Sequence, residues 1–210
     1  MKIQPMLLFL CTAFTAFAQA SPACVPGTPV AIQSRTKLKH RQPPAAPSPA
    51  ATTVAEMLTW STPANIKSSK VRSSNTPIDP RENQALTVEG DLWRVEMEDN
   101  DCDFHLELTA PGGGPKDDRV IVEVPQDAEF AAQRQSILKA LADAGEPFPE
   151  PEMKKSIRIR VTGFAFYDAF HWMATNPQRG KEHGTKFVGT IWELHPVWDV
   201  QFPAPAPPAP

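Results

Sequence analysis

The sequence predicts a mainly β domain: a small five-stranded, OB-like Greek-key barrel with one helix between strands three and four. Three observations carry this expectation. Beyond residue 84, apolar and polar residues alternate in five stretches, the period of a strand with one buried face. A single stretch with helical apolar spacing separates the third from the fourth. The first and fourth stretches are long, and each changes parity near a glycine, as closing a small barrel requires.

The first strand is expected over Ala85–Glu98. Leu86, Val88 and Leu92 share one parity and Trp93, Val95 and Met97 the other, so a bulge is expected just after Gly90. The second is Cys102–Thr109, with Cys102, Phe104, Leu106 and Leu108 inward and Asp103, His105 and Glu107 outward. "PGGGPKDD" is a turn signal. The third strand, "RVIVEVP", turns Val120, Val122 and Val124 inward. In the helix that follows, Asp127 can cap the start, Gly145 can end it, and Phe130, Ile137, Leu138 and Leu141 form the apolar stripe. The fourth strand, "SIRIRVTGFAFYD", carries Ile157, Ile159 and Val161, with a switch to Phe164 and Phe166 after Gly163. A long loop leads to the last strand, Lys186–Phe202, where Pro196 marks a bend or edge.

The flanks read differently. Residues 1–20 combine Lys2, an apolar run from Met6 to Phe17 and the small-x-small end Ala18-Gln19-Ala20, the pattern of a secretory signal cleaved after Ala20. A secreted or periplasmic protein without a transmembrane anchor is therefore expected. Residues 21–84 hold ten of the 24 prolines and few large apolar side chains. They are expected to form a disordered linker, with Met57, Leu58 and Trp60 making at most a local contact. Residues 203–210 form a Pro/Ala tail. The linker carries a net charge of +5 and residues 85–203 a net of −9, within a chain total of −3. A basic arm can fold back onto an acidic domain or touch an anionic envelope surface; a solvated linker is the simpler expectation. Cys24 and Cys102 survive signal removal and can form a disulfide in an oxidising compartment.

In an OB-like barrel, the loops between strands one and two and between strands four and five meet at one end. The first contains Asp101 and Asp103, with His105 just beyond; the second contains Asp168, His171, Trp172 and Arg179, with a second histidine, His183, further along. The second set is the expected ligand surface. Asp101, Asp103 and His105 are the expected metal ligands, a mixed oxygen and nitrogen set suiting zinc or manganese. The aspartates from Asp99 do not make a calcium loop, because Phe104 and Ala110 stand where glycine and glutamate are required. Nucleic acid is not expected, because the domain is acidic and lacks a basic track. A binding or interaction module for a protein or envelope ligand is favoured over an enzyme, and a monomer is expected. The alternative is a metal-dependent, nuclease-like hydrolase using Asp101, Asp103, His105, Asp168 and His171.

Three stretches, "DNDCDFHLEL", "TGFAFYDAFHW" and "IWELHPVWDVQF", occur in this order across about 86–202. Together they resemble motifs of a group of uncharacterised small exported bacterial proteins. The resemblance implies no activity, but it implies His105, Asp168, His171, Glu193 and His195 as positions of the pattern. A histidine before a proline at a strand end is often structural, so Glu193 and His195 are expected to hold the fold.

Overall fold

The computed structural model describes residues 35–203, apart from 46, 99, 100, 147, 149–151 and 182. Residues 1–20, Cys24, Asp99 and nearly all of the C-terminal tail lie outside the described residues. Five strands close the barrel: β2 (Ala85–Met97), β3 (Phe104–Thr109), β4 (Arg119–Val124), β5 (Ile157–Tyr167) and β6 (Val188–Gln201). A shorter strand, β1 (Ala50–Thr53), precedes them. The barrel order is β2-β3-β4-β6-β5, with β5 pairing back to β2. Only the β4–β6 pairing is parallel among these five. The long helix α4 (Ala131–Ala144) lies between β4 and β5. This is the OB-like connection that the order of elements predicts. Among the described residues, no helix is long and apolar enough to cross a membrane.

Alternation places Leu86, Val88, Leu92, Val95, Phe104, Leu106, Leu108, Val120, Val122, Val124, Ile159, Val161 and Leu194 in one apolar core. Phe130, Ile137 and Leu141 of the helical segment join it. Several details differ from the sequence expectation. The register shift in β2 falls between Leu92 and Arg94, not after Gly90. Gly90 serves a close approach instead, since a Cβ there would lie 2.6 Å from the Thr109 carbonyl. Register does shift on both sides of Gly163, but the inward parity of β5 persists through Ala165 and Tyr167. Phe164 and Phe166 therefore face outward. Asp127 makes no capping bond; its carboxylate meets His40. Gly145 ends α4 in the left-handed conformation, as expected.

The linker expectation is corrected for residues 35–84. This segment carries short helices α1 (Thr36–Lys39), α2 (Val54–Met57) and α3 (Ser69–Arg72) and lies on the barrel. Strand β1 pairs in parallel with Leu86–Glu89 of β2. Val54 and Met57 are fully buried, and Trp60 meets Trp192 edge-on at 5.4 Å. Arg35 and Arg41 stack on Phe166 and Phe164. Judged alone, the segment has too little apolar surface to fold. The outward aromatic and acidic groups of the barrel supply the partners it lacks.

Candidate metal centre

The same alternation that fills the core puts a row of ionisable side chains on the outer face of β3, β4 and β6. His105 lies opposite Glu123 across the β3–β4 ladder, and Glu193 lies opposite Ile121 across β4–β6. His195 follows two residues on along β6. An outer barrel face is ordinarily wet. Here α1 and the loop between β5 and β6 cover it, and His105, Glu123, His183, Glu193 and His195 are all buried.

Distances define the pocket. His195 Nε2 is hydrogen-bonded to Asp103 Oδ2 at 3.1 Å, while its Nδ1 faces Glu123 Oε2 at 2.6 Å and Glu193 Oε2 at 3.5 Å. His183 Nε2 lies 3.1 Å from Glu193 Oε1. His105 Nδ1 lies 3.2 Å from both Glu123 Oε1 and Glu98 Oε1. His171 stacks on His183 at 4.2 Å and lies 3.7 Å from Asp168. Lys39, from α1, reaches Asp101 at 3.4 Å and Glu123 at 3.8 Å. Glu107 lies 3.7 Å from His105 Nε2 and is otherwise engaged by Arg119 at 3.0 Å and by the Thr185 N–H and hydroxyl. Gly184, at φ +69°, allows this packing, since a Cβ would lie 2.7 Å from Glu107 Oε1 and 3.0 Å from His105 Nε2.

The local field is strongly negative. Burial pulls the imidazole of His195 down, but Glu123, Asp103 and Glu193 outweigh it and hold it well above its ordinary value. His105 is raised in the same way by Glu107, Glu123 and Glu98 against burial, and His183 by Glu193 and Asp168. Burial and the neighbouring Asp103 push Asp101 up to about 6 despite Lys39. Burial also opposes the charge on Glu123, yet Lys39 and His195 hold its carboxyl well below the usual range.

Of the sequence-predicted residues, the pocket gathers Asp101, Asp103, His105, Asp168 and His171. It also takes in Glu193 and His195, which the sequence reading assigns to a structural role away from the site. Arg179 is not part of it: its guanidinium pairs with Asp118 and the Val188 carbonyl. Trp172 packs at the edge of the core with Arg72 over its ring. Cys102 is not a core residue of a strand; it sits at φ +64° in the turn and is disulfide-bonded, with its partner outside the described residues. Arg158 and Arg160 are paired with Glu89 and Asp91 on β2. Glu123 and Lys39 are the members missed, while His183 stands in the loop the sequence marks for ligands. The outward parity of Glu123 in "RVIVEV" was the available signal for the first; nothing in the sequence marked Lys39.

Among the described residues, Asp103, Glu123 and His195 bring ligand atoms within 4.8 Å of one another, as do Asp168, His171 and His183. A third such set, Glu96, Glu98 and His105, is partly open to solvent. The chain is thus an OB-like barrel with a covered histidine–carboxylate pocket on its outer face. Comparison with known proteins finds no matching family model, no similar curated protein and no similar solved structure.

Proposed function

We propose that the chain is an exported OB-like binding module whose ligand is a divalent metal ion, zinc or manganese, held in this pocket. One observation carries the reading. Among the described residues, six buried atoms of this pocket make no hydrogen bond and meet one another only as charged neighbours: His105 Nε2, His183 Nε2, His195 Nδ1, Glu123 Oε2 and both oxygens of Glu193. Each unsatisfied buried polar group costs roughly 1–3 kcal/mol, and charged groups more. A cation satisfies several at once. Charge supports the same reading. Asp101, Asp103, Glu123, Asp168 and Glu193 are buried around Lys39 and the imidazoles of His105, His183 and His195, a carboxylate-rich setting that favours cations. Mixed imidazole and carboxylate donors suit zinc or manganese rather than calcium. Export is supported by the signal-like residues 1–20 and by the disulfide at Cys102, which an oxidising compartment preserves.

The test is metal analysis of the mature chain, with melting curves taken before and after chelation. Zinc or manganese at one equivalent or more, with a lower melting temperature after chelation, is expected. Absence of metal, together with melting curves that neither chelator nor added zinc moves, overturns the reading.

A further inference from the structure

The two oxygens of Glu193 face ring nitrogens from different parts of the chain. Oε1 lies 3.1 Å from His183 Nε2, in the loop between β5 and β6. Oε2 lies 3.5 Å from His195 Nδ1, on β6 itself. Neither oxygen makes a hydrogen bond. From this geometry we infer that Glu193 is a bridging carboxylate between two metal ions. One ion is bound by His195 Nδ1, Glu123 and Glu193 Oε2. The other is bound by His183 Nε2, Glu193 Oε1, Asp168 and His171. The inference rests on the metal-binding reading and adds to it a number and a bridge.

Three further observations support the pair. First, His195 is oriented for it. Its Nε2 is taken by Asp103 at 3.1 Å, so Nδ1 is left as the donor atom. A ligating imidazole whose other nitrogen meets a carboxylate is the usual arrangement around a metal. Second, spacing agrees. Two ligand atoms on one tetrahedral zinc lie about 3.3 Å apart, given bonds of about 2.0–2.2 Å. The two Glu193 contacts, at 3.1 and 3.5 Å, bracket this value. The His195–Glu123 contact of 2.6 Å is shorter, so an ion entering there must part these two side chains. Third, charge allows it. The pocket buries five carboxylates, Asp101, Asp103, Glu123, Asp168 and Glu193, enough for two divalent ions.

Manganese(II) alone is the probe. The mature wild-type chain is loaded, freed of excess ion, and measured for manganese per chain and by electron paramagnetic resonance. Two equivalents with the spectrum of a spin-coupled pair are expected. One equivalent with an uncoupled six-line spectrum overturns the bridge and leaves metal binding standing; no bound manganese here, together with no zinc in the metal analysis above, overturns both. Glu193→Gln, checked for folding by circular dichroism, is expected to lose the coupled spectrum and to bind at least tenfold more weakly. His183→Ala is expected to retain one ion. Two coupled ions in a folded Glu193→Gln chain contradict the bridge. Should neither variant fold, the wild-type stoichiometry and spectrum still decide.

Discussion

Replacing Arg35 with alanine tests whether residues 35–84 belong to the fold. Arg35 is almost wholly buried, and its guanidinium meets the fully buried Glu82 at 2.7 and 2.8 Å in a two-pronged pair. The same group donates to the Tyr167 carbonyl at 2.7 Å and the Ser74 carbonyl at 3.1 Å, and lies over the ring of Phe166. It therefore ties the arm to the end of β5. Removing one partner of a buried ion pair costs about 3–5 kcal/mol, because the other charge stays buried. Glu82 would keep the N–H groups of Ile78 at 2.7 Å and Tyr167 at 3.0 Å, which argues for the lower end, about 3 kcal/mol. At roughly 2–4 °C per kcal/mol for a domain of this size, the melting temperature should fall by about 6–12 °C. Urea denaturation gives the free energy, and limited proteolysis within residues 35–84 shows whether the arm has come away. Adding Glu82→Gln should cost little more, since no unpaired charge remains. A loss below about 0.5 kcal/mol, the range of an ordinary surface substitution, would refute the packing of the arm.

Other substitutions separate support from ligation. Burial raises the Glu107 carboxyl, but His105 and Thr185 outweigh it and hold it at about 2, against 4.5 for a free glutamate. A folded value below the unfolded one stabilises fully above about pH 4.5 and is lost as the pH falls towards 2. Glu107→Gln should therefore cost on the order of 3 kcal/mol at pH 7, measured by denaturation, with the difference from wild type shrinking between about pH 4.5 and 2. Gly184→Ala must place a Cβ against Glu107 and His105 from a left-handed backbone, and should lose about 1–3 kcal/mol in the same assay. Asp103→Asn keeps the shape but weakens the orientation of His195, so zinc affinity by competition titration should drop by about 10–100-fold.

The barrel was legible because its strands have one apolar face and a period of two. Leu106, Val122 and Leu194 announce themselves by parity. The bends were legible only in part: Gly163 does mark a shift in register, but Gly90 exists for a close backbone approach, and parity alone does not tell these apart. Phe164 and Phe166 were misplaced because an outward aromatic covered by another segment has the same sequence signature as an inward one. The arm was misread for a related cause. Its stability comes from long-range partners such as Glu82 with Arg35, and no local pattern encodes them. The pocket suffered most. His105, Asp168, His171 and His183 were visible as chemistry-bearing residues beside predicted loops. Glu123 and Glu193 looked like the wet face of their strands until Lys39 and the loop carrying His183 closed over them.

Crystals of the protein grown with zinc, measured at the zinc absorption edge, test the central claim most directly. The account predicts anomalous peaks within bonding distance of His195 Nδ1 and of the Glu193 carboxylate, the two ions lying about 3.5–4 Å apart. An empty pocket under those conditions, with His195 and His183 hydrogen-bonded to their carboxylates and no peak near Glu193, would contradict it.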